Sequence, residues 1–324
     1  MNLRLVLFEW AAGRGLDARA SRRLQHLAGF GAEPGGLGPG LARGFAVLAA
    51  ALAGFALVMW VAANWANFGR VGRFALLQGA LAVLGLGAWA WPAARAPLGL
   101  AALFAIGALF ALFGQTYQTG ADPWQLFALW ALLALPLCFG VRSDVVWTPW
   151  VVVAMAGVSL WASAHTGQRI WRGLDGAGTT VHLAAWAMSL LLVLATGPAW
   201  RARTGSGPWA LRTAITLAAF GITVSALIGL FGDDVDPLYP LGLLLAGAAV
   251  WGLSQRVAFD VYALSAVVLA FDALLVCGLG RLLFDGADAE PIGASLLVSV
   301  VAAGLLAVSV RWVMRVFQRF GGVR

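Results

Sequence analysis

Ten long apolar runs fix what this chain can become. They are residues 44–64, 73–91, 98–114, 124–141, 145–164, 181–197, 210–231, 238–254, 257–284 and 292–316. About 20 mostly apolar residues in a helix cross a bilayer. The runs therefore predict an all-α, polytopic transmembrane helix bundle of about ten spans, residues 41–324. Composition agrees: 61% of the residues are hydrophobic and 11% are charged, against about 25% charged in an average soluble domain. The solvent expected for such a surface is the lipid bilayer.

Charge gives a side to each loop. The chain has 21 basic residues and a net charge of +7; all of them are arginine. With ten spans, Arg70, Arg73, Arg169, Arg172 and Arg281 fall on one side and the other 16 on the opposite side. Positive loops stay in the cytoplasm, so both termini are expected there, in a bacterial inner membrane. Acidic residues gather on the far side, in "GDDVD" at Gly232–Asp236 and "DGADAE" at Asp285–Glu290. A basic balance in a soluble chain would point to nucleic acid. Here the arginines lie between apolar runs, and no nucleic-acid partner is expected.

Residues 1–40 form a small headpiece. Leu3, Val6, Leu7 and Trp10 keep the spacing of an amphipathic helix. Asp17 is placed to cap a second helix in "LDARASRRLQHLAGF", and "GAEPGGLGPG" is a Gly/Pro linker. A core this small does not stand alone. Residues 1–35 are the expected docking element for a membrane or cytoplasmic protein partner, or for anionic headgroups.

Few groups carry chemistry. Asp260 and Asp272 lie in the ninth run. Asp260, four residues after Arg256, is expected to pair with it at the helix start. Asp272 is deep in the span, where ionisable residues face the bundle interior and mark functional paths. Ser265, two turns away, shares its helical face. A proton- or cation-binding role for Asp272 and Ser265 stands beside the plainer reading of a protonated acid hydrogen-bonded to a neighbouring helix. His26, His165 and His182 lack metal-ligand spacing, and Cys138 and Cys277 lack CxxC partners. No metal and no cofactor is expected, and no catalytic constellation is visible.

The opposite end of the early spans is unusually polar. "WVAANWANFGRVGRF" brings Asn64, Asn67, Arg70 and Arg73, and "LFGQTYQTGADPW" brings Gln115, Thr116, Tyr117, Gln118 and Thr119. Asp122 and Pro123 in the second are a helix start. Asn64, Asn67, Gln115, Thr116, Tyr117 and Gln118 are the expected lining of a vestibule, with non-helical backbone near residue 115. Arg70 and Arg73 pair with Asp233, Asp234 and Asp236, or contact an anion.

"GFALVMWVAANW" and "FGQTYQTGADPWQLFALWALLALPL", with the headpiece before them, resemble the bacterial predicted-membrane-protein family known as domain of unknown function 2157. The resemblance covers about residues 1–140. It implies a polytopic inner-membrane protein and no particular activity. The expected function is transporter-like or channel-like, for a small solute or ion. The alternative is a non-catalytic membrane scaffold or envelope-assembly partner, and a lipid-handling enzyme is the weaker third.

Overall fold

The computed structural model describes residues 3–28, 37–64, 68–117, 120–166, 176–232, 234–256, 258–284 and 291–320. It contains thirteen α-helices and, among the described residues, no strand. Two compact units are resolved, Met1–Ala49 and Ala50–Arg324, and the boundary falls within α3.

The first unit holds α1 (Leu3–Gly13) and α2 (Ala18–Leu27). Asp17 caps α2 as its sequence position predicts: its Oδ1 accepts from the Ala20 backbone N–H at 2.7 Å. That bond satisfies one of the orphan donors at the helix start.

The bundle contains α3 (Leu37–Ala63), α4 (Arg70–Ala90), α5 (Arg95–Tyr117), α6 (Pro123–Val141), α7 (Asp144–Thr166) and α8 (Gly176–Ala195). A single turn, α9 (Arg201–Thr204), precedes α10 (Pro208–Leu230), α11 (Leu238–Leu253), α12 (Val261–Phe284) and α13 (Pro291–Phe320). Ten of these helices coincide with the ten apolar runs. Nine of the described helices are long and apolar enough to cross a membrane; α11 is apolar but has 16 residues. At 1.5 Å per residue that is roughly 24 Å.

Two boundaries move in ways that matter. Helix α5 does not stop at residue 114 but carries Gln115, Thr116 and Tyr117 in its last turn. The non-helical backbone expected near residue 115 is therefore absent at 115–117. In the other case, α12 starts at Val261 rather than residue 257, which leaves Asp260 ahead of the helix.

Many of the buried residues are small, and many large apolar ones face outward. Ala102, Ala134, Ala210, Ala214 and Ala226 are fully buried, while Leu132, Leu191, Leu244, Trp251 and Leu296 are exposed. Helices in lipid associate through close packing of small residues, because the tails outside are as apolar as leucine. Gly107 shows why: a Cβ there would collide with the Trp130 ring, whose Nε1 donates to the Leu103 carbonyl at 3.0 Å. The main pairings are α4 with α5, α6 with α7, α7 with α8 and α10, α10 with α12, and α12 with α13.

Helix α10 is held at both ends by charges from other helices. Pro208 at its first position has no N–H to place. The neighbouring donors are all taken by one carboxylate: Asp144 accepts from Gly207 at 2.9 Å, Trp209 at 2.8 Å and Ala210 at 2.9 Å. At the other end, Arg281 donates to the carbonyls of Leu230 and Gly232. Both charges complement the helix dipole. Arg281, one of the five arginines against the positive-inside trend, thus has a structural task.

Candidate functional site

Asp272 is the intramembrane group the fold singles out. Helix α12 packs on α10, α11 and α13, and this places Asp272 in the interior, 6% exposed. Ser309 of α13 donates its hydroxyl to Asp272 Oδ1 at 3.0 Å. The other oxygen, Oδ2, is buried and makes no hydrogen bond among the described residues. Most buried polar atoms are satisfied. Here either protonation state leaves an unmet group: an anion short of donors, or an acid proton with no acceptor.

The carboxyl borders a cavity of about 320 Å3 between α11, α12 and α13. Phe271, Val250 and Trp312 give it apolar walls, and Ser309, Arg311 and Arg315 join Asp272 as its polar lining. On α13, Val308, Arg311, Trp312 and Arg315 follow the spacing of one helical face. The volume accommodates several waters at about 30 Å3 each.

Ser265 does not belong to this site. It lies seven residues from Asp272, roughly 10.5 Å along the axis, and its hydroxyl bonds its own helix at the Val261 carbonyl, 2.7 Å away. Ser309, from the facing helix, takes the role expected of it. No pattern within the ninth run could have named Ser309, because the contact depends on how α13 docks.

Asp260 also has a different partner from the one expected. Arg212 of α10, not Arg256, binds it: Nη2 reaches Oδ2 at 2.8 Å, and Nε lies 3.1 Å from the same oxygen. The Ala263 backbone N–H donates to Oδ1 at 3.0 Å. Burial works to raise the Asp260 carboxyl. The Arg212 hydrogen bonds, the Ala263 N–H and the Arg212 charge outweigh it and hold the group below the ordinary carboxylate range.

The polar residues at the α3–α4–α5 end are only partly brought together. Arg70 stacks over the Tyr117 ring, 5.5 Å from its centroid, and Phe74 and Phe113 also contact that ring. The Asn64 amide turns back to the Trp60 carbonyl at 3.0 Å. Gln115, Thr116 and Tyr117 are consecutive helical residues, so they point about 100° apart and do not share a wall. Thr116 Oγ1 is buried and has no hydrogen-bond partner among the described residues. Asn67, Gln118 and Thr119 lie outside the described residues, as do Asp233, Arg169 and Arg172. Asp236, expected to pair with Arg70 or Arg73, instead receives the Thr179 hydroxyl and the Leu238 N–H, each at 2.8 Å. None of Asn64, Gln115, Thr116 or Tyr117 lines the Asp272 cavity.

Nothing in the apolar runs singles out Ser309, and in the sequence Arg311 and Arg315 signal only topology. Asp144 had a readable signal, since it opens α7 directly after "VRS" and charge at a helix start is capping chemistry. Among the described residues, no three His, Cys, Asp or Glu side chains converge as a metal site would require. Cys138 and Cys277 are free thiols.

The comparisons with known proteins bear on the first half of the chain. No curated protein and no solved structure matches it. The polar α3–α5 end lies within the region that a family model covers, and Asp272, Ser309, Arg311 and Arg315 lie beyond it. Residues 8–147 match the model of DUF2157, a family described as predicted membrane protein.

Proposed function

We propose that this multi-pass membrane protein moves a small solute or ion across the bilayer, with Asp272 as the group that takes up and releases a proton or cation. The observation that carries the reading is the unpartnered Asp272 Oδ2 at the edge of the α11–α12–α13 cavity. Intramembrane carboxylates that face an interior cavity serve such paths. Arg311 and Arg315, which line the same cavity, suit a solute that carries negative charge. The arginine distribution supports an inner-membrane protein with both termini in the cytoplasm.

The test is proton movement in proteoliposomes that trap a pH-sensitive dye, with acetate, lactate, benzoate and phosphate supplied in turn. The wild-type protein should acidify or alkalinise the lumen with at least one of them. Asp272→Asn keeps the side-chain shape and an acceptor for Ser309 but cannot ionise, so it should abolish the flux. Flux that survives this substitution, or a wild-type protein that moves neither protons nor any of these solutes, would remove the proposal.

A second reading has its own observation. In the headpiece, no residue of α2 is buried, Leu27 is 80% exposed and Phe8 is also exposed. These side chains leave apolar surface of the headpiece open to a partner. We propose, as the alternative, a scaffold or envelope-assembly role in which residues 1–35 dock a partner. Deleting them should release a co-purifying protein and leave the bundle folded. A chain that crosslinks to no partner in native membranes contradicts it.

A further inference from the structure

A second cavity, of about 410 Å3, opens between α7, α8 and α10. It is separate from the Asp272 cavity in both lining and helices. Its polar groups are graded along its length. One end carries Thr166 and Ser163 from the last turn of α7, and His182 from the early turns of α8. Successive helices run antiparallel, so these belong to the same end of the bundle. Farther in, Ser159 and Ser189 follow, and the lining then becomes Met155, Val152 and Phe220.

The floor is rigid. Trp186 is 5% exposed, and its Nε1 donates to Ser225 Oγ at 2.7 Å. Ser225 in turn bonds the Gly221 carbonyl at 2.9 Å. The mouth is apolar: Phe220 is 67% exposed, and Val152 and Val224 are exposed beside it. On helices of this composition, such a surface faces lipid tails. The volume lies within the range of small-molecule sites, about 300–1,000 Å3.

We infer that this crevice binds a membrane amphiphile, with a neutral hydrogen-bonding headgroup at the Thr166–His182 end and its chain laid along Trp186 toward Phe220. The hydroxyls both donate and accept, which matches an alcohol, ester or amide head. Among the described residues, no arginine, aspartate or glutamate lines the crevice. A charged head would therefore lose its hydration without a matching counter-charge. The inference stands apart from the transport reading, since no lining residue is shared.

Trp186 supplies the test. Full-length protein in detergent is titrated with a monoglyceride of dibrominated stearic acid, a collisional quencher of tryptophan, and in parallel with the free dibrominated acid. The difference between wild type and Trp186→Phe isolates the Trp186 signal from the other tryptophans. The monoglyceride should quench that signal saturably, and the acid at pH 8 should need a roughly tenfold higher concentration. Ser159→Phe, which fills the crevice from an exposed position, should remove the saturable component; Ser189→Leu should do the same from the opposite wall. Equal quenching of wild type and Trp186→Phe overturns the inference. So does saturation that persists in both filled variants, or an acid that binds as well as the monoglyceride.

Discussion

Asp260 and Asp272 sit at the head and in the middle of one helix, and they are treated in opposite ways. Asp260 is fully engaged, by Arg212 and the Ala263 N–H. Asp272 is more deeply buried yet has one hydroxyl for two oxygens. Stability alone would reverse that allocation, since partners are worth most where water is scarce. The comparison separates a carboxylate tied into the bundle from one short of partners at the edge of a cavity. Asp144, with three backbone N–H groups on its oxygens, belongs with Asp260.

The contrast can be broken or sharpened by substitution. The largest expected loss of stability is at Asp144. Asp144→Ala strands the donors that open α10 and should cost about 3 kcal/mol. Thermal melting in one detergent, followed by helical circular dichroism, reads it, and an unchanged midpoint would show that α10 does not need this cap. Asp260→Asn should cost less, about 1–2 kcal/mol, because the pair is partly exposed. Asp272→Asn should leave the midpoint unchanged or raise it, since the wild-type group is already short of partners. A fall as large as that of Asp260→Asn would erase the distinction between the two.

Acid should bring the wild type and Asp260→Asn together. The folded carboxyl lies below its ordinary value of 3.8, so the unfolded chain binds the proton more readily. Its contribution is therefore complete above that ordinary value and drains as pH falls through the depressed folded value. The midpoint gap between wild type and Asp260→Asn should shrink from about pH 6 toward about pH 3. A gap that widens in acid contradicts the sign. A small loss is expected at the α4–α5 end, where Arg70→Ala should cost about 0.5 kcal/mol through loss of the Tyr117 stack. A double-mutant cycle with Tyr117→Leu should recover a coupling of that size.

The bilayer made the helices legible. Spans must be long and apolar, so α3–α8 and α10–α13 could be read from runs of residues, with ends off by a few positions. Helix α5 continues through "GQTY", where polarity suggests a loop. Gln and Tyr are compatible with a final helical turn, and composition does not reveal where backbone hydrogen bonds stop. Asp272 was legible because a carboxylate in an apolar run is costly in any arrangement. Its partner was not, nor was Asp260's, because Ser309 and Arg212 arrive from other helices. Arg256 was nearer in sequence than Arg212 but is not nearer in the fold. The α7–α8–α10 crevice was equally hidden, since serines scattered over three apolar runs converge only after packing.

The most direct test compares both carboxylates in one flux assay. Wild type, Asp260→Asn and Asp272→Asn are reconstituted at equal folded amounts, and dye-reported proton movement is measured with the small-anion set. Asp260→Asn should retain the flux of each folded molecule, while Asp272→Asn should lose it. Retained flux in Asp272→Asn, or an equal loss in both, would contradict the division of roles along α12.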